Sequence, residues 1–170
     1  MQYEFFVPGE AKTAGSKKAF MNPKTHKIIV THDNPKTKDW MDSVKWFVMK
    51  NIGRPCLLTG PVELILVFYR VRPASHFGSG RNAKILKPSA PRLPTPTPDV
   101  TKLVRAVEDA MKGIIYKDDS QVCHQNNWKV YCSGDEVPGV KIIVREIEFQ
   151  KNAAETIEKY NNSSQLQLNF

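Results

Sequence analysis

The stretch between Arg72 and Pro98 constrains the architecture more than any other part of this chain. Six prolines interrupt it, Pro73, Pro88, Pro91, Pro94, Pro96 and Pro98, and proline neither donates to a strand ladder nor fits a helix interior. No regular element is expected there, so the sheet and helices must come from what precedes and follows it. Arg70, Arg72, Arg81, Lys84, Lys87 and Arg92 place six cations in or beside this stretch, with no acid among them. A loop of this length in a small domain is commonly functional. The expectation is a mobile arm that grips phosphates, with Arg81 and Lys84 as its leading contacts, and a plain solvated loop is the alternative.

The flanking sequence is patterned. Residues 2–7 read as a short strand stopped by Pro8-Gly9, and the apolar runs 19–21 and 27–30 read as a hairpin around Asn22-Pro23-Lys24-Thr25. In residues 36–52, Trp40, Val44, Phe47 and Val48 recur at helical spacing, ahead of Gly53 and Pro55. Residues 62–71 are rich in β-branched and aromatic side chains, as in a central strand. Residues 99–112 form an amphipathic helix with Asp99 at the N-cap and Gly113 as the stop. Val100, Leu103, Val104, Val107, Ala110 and Met111 share one face, while Thr101, Lys102, Arg105, Glu108, Asp109 and Lys112 share the other. Residues 121–132 and 140–149 alternate as strands and are expected to pair through the loop at 133–139. The fold class is α/β (α+β): a small mixed β-sheet with two main helices in one domain spanning residues 1–150.

Charge divides unevenly along the chain. Residues 1–98 carry a balance of +10 and residues 99–170 a balance of −2, within a net charge of +8. Such a profile suits a polyanionic partner, and nucleic acid leads. No apolar run approaches the roughly 20 residues of a bilayer span, and the first residues lack the pattern of a signal peptide. A cytoplasmic location and no membrane partner are therefore expected. Cys56, Cys123 and Cys132 are odd in number and lack a C-x-x-C pair, so they read as reduced thiols rather than a disulfide framework or zinc site.

Asp99 opens the second helix and Asp118-Asp119 follow it after a short connection, so the chain can fold back and bring these carboxylates toward one sheet edge. Converging carboxylates repel unless a hard cation joins them, and such a cation can activate water at a phosphodiester. Taken alone, an N-cap and a pair of turn residues are the better explanation of the three aspartates. The run from Thr97-Pro98-Asp99-Val100-Thr101-Lys102-Leu103-Val104-Arg105 through Glu108-Asp109-Ala110-Met111-Lys112-Gly113 to Tyr116-Lys117-Asp118-Asp119-Ser120-Gln121-Val122 resembles the signature of the RusA-type Holliday junction resolvases. That signature is roughly P-D-x-D-N-L-x-K, then D-A-(L/M)-x-G, then Y/W-x-D-D-(A/S)-Q-(V/I).

The resemblance implies a homodimeric endodeoxyribonuclease, of phage or prophage type in a bacterial cell, that resolves branched DNA by paired nicks with Mg²⁺, or Mn²⁺ in its place. It implies metal ligands at Asp99 and Asp119, with Asp118 beside them, and a catalytic cation at Arg105, where the family has lysine. The chain departs from the pattern at Thr101, in place of the second aspartate, and at Lys102, in place of asparagine. A hydroxyl cannot replace the charge of a carboxylate, which keeps open a rival reading as a non-catalytic junction-binding adaptor. Expected DNA contacts are Lys102, Arg105, Arg70, Arg72, Arg81, Lys84, Lys17 and Lys18. Glu108 and Asp109 are expected to support the site or to be solvated.

Residues 151–170 read as a C-terminal helix and tail, with a polar spacer at 161–164. The last six residues, Gln165-Leu166-Gln167-Leu168-Asn169-Phe170, look like the hexapeptide by which bacterial replication and repair proteins engage the sliding clamp. Gln165, Leu166, Leu168 and Phe170 would be the anchors. A tail that packs its apolar side chains back on the domain is the alternative.

Overall fold

The computed structural model describes residues 1–15, 17–32, 35–55 and 57–166. In chain order the elements are β1 (Gln2–Pro8), β2 (Lys17–Met21), β3 (Ile28–His32), α1 (Pro35–Ile52), β4 (Val62–Arg70), α2 (Val100–Met111), β5 (Val122–Tyr131), β6 (Gly139–Glu146) and α3 (Ala153–Leu166). Short 3₁₀ turns add Ala74–His76, Gly80–Asn82 and Asp119–Gln121. The mixed α+β class read from the sequence is the one observed.

The main sheet has the order β1-β6-β4-β5, and β2-β3 form a separate hairpin. β6 runs antiparallel to β1 and β4, with Ile142 opposite Phe5 on one side and Leu66 on the other. β5 runs parallel to β4, with Leu66 opposite Asn127. This corrects the expected β5–β6 hairpin. β4 has no polar face to expose, since Val62 through Phe68 are all buried, so it occupies the centre. β5 alternates between part-buried and exposed residues and takes the edge. The arm and α2 together supply the long crossover that a parallel pair requires.

One face of the sheet carries the core. Leu103, Val107, Ala110 and Met111 of α2 are fully buried with Leu64, Leu66 and Phe68 of β4 and Val140, Ile142 and Val144 of β6. Each large side chain buried this completely contributes roughly 1.5–3 kcal/mol. Gly139 marks a close approach, because a Cβ there would lie 2.5 Å from the Val7 carbonyl oxygen. The opposite face carries a buried charge: Glu63 is fully buried and bonded to Arg145 Nε and, at 2.9 Å, to His124 Nδ1. Tyr160 of α3 lies over the Arg145 guanidinium at 4.9 Å.

The proline-rich arm is tied down. Phe77 and Leu86 form a bridge, Arg72 donates to the Pro91 carbonyl at 2.9 Å and covers the Tyr131 ring, and Lys129 donates to the carbonyls of Pro96 and Pro98. Cationic side chains replace the backbone donors that proline lacks. A second correction concerns the polar spacer: residues 161–164 continue α3, which ends at Leu166, since Asn and Ser lower helix propensity without breaking a helix already docked by Tyr160. Among the described residues, no helix is long and apolar enough to cross a membrane.

Candidate active site

The acidic turn after α2 is held by its own sequence. Asp118 caps the Asp119–Gln121 turn by accepting from the Ser120 N–H at 3.1 Å. Gln121 completes the capping box, its Oε1 accepting from the N–H groups of Asp118 (3.1 Å) and Lys117 (2.8 Å). Its Nε2 donates to the carbonyls of Leu58 (2.9 Å) and Gly60 (3.1 Å). One side chain thus fixes the aspartate pair to the segment that leads into β4. Gly113, at φ +76°, turns the chain sharply after α2 and donates to the Tyr116 carbonyl at 2.7 Å.

The end of α2 faces this turn. Lys112 Nζ lies 2.5 Å from Asp118 Oδ2 and 3.3 Å from Asp119 Oδ1. The Lys112 ammonium, and then the Ser120 N–H, hold the Asp118 carboxyl well below the usual carboxylate range, and Asp118 followed by Asp119 raises Lys112 in turn. Glu108, one turn earlier, is half-buried and bonded to Gln125 of β5. Burial, followed by the negative charge of Asp119, pushes its carboxyl up from 4.5. The buried Tyr116 hydroxyl donates to the Glu108 carbonyl at 3.0 Å, and burial, then Glu108, raises its phenol.

Asp99 stands at the other end of α2. It occupies the expected N-cap position, but its side chain makes no capping bond and instead pairs with Lys102 at 3.0 Å. The helix between Asp99 and Lys112 is about 18 Å long at 1.5 Å per residue, so the fold keeps Asp99 apart from Asp118 and Asp119. Among the described residues, no group of three histidine, cysteine or carboxylate side chains converges to hold a metal. The exposed Thr101, Arg105 and Lys112, with the half-buried Glu108, fall at helical spacing along one stripe between the two ends.

The remaining predicted contacts separate by environment. Arg70 is largely covered and lies 3.8 Å from Glu10, and Arg72 braces the arm through Pro91 and Tyr131. Arg81, Lys84, Lys102 and Arg105 are exposed. Lys17 and Lys18 begin β2, but their side chains lie outside the described residues. Gln165 and Leu166 close α3, Leu168 and Phe170 lie outside the described residues, and no side chain of this motif is described. Glu108 and Lys112 are the residues that sequence reasoning placed least well. Their spacing of four, one helical turn, with Lys112 six residues before Asp118, was the available signal.

All donors at the acidic turn are hard oxygens, the chemistry that suits Mg²⁺ or Mn²⁺, and Mg²⁺ is often held by one or two carboxylates with substrate phosphates completing its shell. Two carboxylates already converge on one ammonium here, so the residues fit such an ion. A family model described as Endodeoxyribonuclease RusA matches residues 8–145. The chain is also 33% identical over 146 residues to the uncharacterized protein YqaN of Bacillus subtilis (strain 168), covering 85% of this chain and 96% of that protein.

Proposed function

The chain belongs to the RusA endodeoxyribonuclease family, and on that premise we propose that it is a Mg²⁺-dependent endonuclease that resolves four-way and other branched DNA by paired nicks. The observation that carries this reading is the Asp118–Asp119 turn, clamped by Gln121 and faced by Glu108. A bound divalent ion supplies activation of water and stabilisation of charge on the phosphate. Asp118 and Asp119 hold the ion. Glu108 adds negative charge beside them, offsetting the carboxylate that Thr101 lacks. Arg105 and Lys102, exposed along α2, steady the scissile phosphate and its neighbour. Arg81 and Lys84 on the arm supply sequence-independent phosphate contacts.

Asp99 joins this site through a second copy. The outer edge of β5 has no strand partner among the described residues, and α2 packs along the same strand. A two-fold neighbour at this edge sets its α2 antiparallel to the first, so that Asp99 of each protomer approaches Asp118 and Asp119 of the other. The dimer then offers two sites to a junction of near two-fold symmetry. The domain assignment follows: residues 1–150 form the nuclease with its basic arm at 72–98, and residues 151–170 form an appendage. Its final hexapeptide, 165–170, tethers the enzyme to a sliding clamp in the cytoplasm of a bacterial host, with a phage or prophage origin.

The test is cleavage of a labelled four-way junction and a matched linear duplex, with Mg²⁺ or EDTA, by the parent chain, Asp119→Asn, Asp99→Asn and a mixture of the two variants. Metal-dependent paired cuts on the junction, lost in each variant, are expected, with single-strand nicking of the junction restored in the mixture. Restoration follows because one of the two sites in a mixed dimer keeps both aspartates. Tight junction binding without cutting, unaffected by Asp119→Asn, would replace this reading with the adaptor, which the absent carboxylate at Thr101 favours. Deleting residues 165–170 should abolish clamp binding and leave junction cleavage intact.

A further inference from the structure

We propose that Lys112 is a resident counter-ion of the acidic turn, an ammonium that must leave before a divalent ion can enter. The inference rests on the metal site proposed above at Asp118 and Asp119. Lys112 Nζ reaches one oxygen of each aspartate, at 2.5 and 3.3 Å. An ammonium and a divalent cation cannot occupy the space between the same two oxygens, so their binding is mutually exclusive.

Asp118 and Asp119 meet Lys112 at this end of α2, and the Glu108 carboxylate, one turn earlier and bonded to Gln125, feels the charge of Asp119. Arg105 acts on Glu108 from one turn earlier along the helix. Without Lys112, the aspartate pair would face each other and Glu108 with little compensation, at a cost to the turn. Lys112 therefore stabilises the turn before metal arrives and weakens the metal once it does. Its side chain is close to half-exposed and stands on the last, C-cap position of α2. A side chain this exposed can rotate into solvent, and the chain bond holds the released ammonium beside the metal site. There it can meet the phosphate that the metal recruits, so the cation removed from the carboxylates is returned to the substrate.

The test is a Mn²⁺ titration of the full chain, with free Mn²⁺ read by its electron paramagnetic resonance signal, for the parent, Lys112→Met, Lys112→Gln and Asp119→Asn. Both Lys112 variants should bind Mn²⁺ three- to tenfold more tightly, whereas Asp119→Asn should lose binding. In the parent, the ¹⁵N-labelled Lys112 side-chain resonance should move toward that of a free lysine as Mg²⁺ is added. Equal or weaker Mn²⁺ binding by both Lys112 variants, with Asp119→Asn still losing it, would overturn the counter-ion role and leave the metal site standing. Unchanged binding in Asp119→Asn would overturn the metal site and the counter-ion role with it.

Discussion

Replacing Gln121 with alanine should separate the stability of the acidic turn from the stability of the core. The side chain makes four hydrogen bonds, donating to Leu58 and Gly60 and accepting from Lys117 and Asp118. At a net ~0.5–1.5 kcal/mol each, the sum spans about 2–6 kcal/mol. The groups are part-buried or exposed, so water replaces some of what is lost, and the lower part of that range, about 2–3 kcal/mol, is expected. For a chain of this size, that corresponds to a fall in Tm of roughly 4–12 °C. Urea unfolding followed by tryptophan fluorescence measures the first quantity. The second readout is Mn²⁺ binding at a temperature where the variant is fully folded, and it should fall because the aspartates are no longer held against the entry to β4. A destabilisation below about 0.5 kcal/mol, or undiminished Mn²⁺ binding by the folded variant, would refute the argument that Gln121 positions the site.

The remaining expectations concern charge. Arg145→Met strips a partner from the fully buried Glu63 and should cost about 3–5 kcal/mol in urea unfolding, with much of the loss recovered in the Glu63→Met, Arg145→Met double variant; no recovery would show that packing, not the uncompensated charge, set the cost. Glu108 has a carboxyl raised above 4.5 in the folded state, so the native chain holds its proton more readily than the unfolded chain. The contribution of this group to stability is then fully present below 4.5 and is lost as pH rises through the folded value. Glu108→Gln should flatten that decline, leave the protein at least as stable at pH 7, and weaken Mn²⁺ binding; an unchanged pH slope would remove Glu108 from this account. The double variant Arg81→Ala, Lys84→Ala should lower junction affinity and reduce the log–log salt slope by about 2, since each phosphate contact contributes roughly 0.9, and an unaltered slope would make the arm a solvated loop.

Much of the local structure was legible because it depends on near neighbours. The apolar stripe of α2, with Gly113 after it, encodes a helix and its end, and the β-branched and aromatic run at 62–71 reads as a central strand. Glu63 sits within that strand without periodicity or a motif to announce it. Its partners His124 and Arg145 lie 61 and 82 residues away, a separation that no local pattern spans. The acidic residues were found by their order and spacing, which report a signature and not a distance.

What the sequence determined by itself was the inventory: a helix of three turns ending at an acidic turn, a proline-rich arm too interrupted for regular structure, and an excess of cations before Asp99. Only the tertiary structure decided that β4 separates β5 from β6, because strand order depends on which strand can be buried on both faces. It alone set Asp99 and Asp119 at opposite ends of a rigid helix, because the rise per residue turns a short interval of sequence into a long interval in space. It also set Lys112 against the aspartates and Glu108 within reach of the charge of Asp119, since the fold-back after Gly113 brings residues from both sides of the turn near one another.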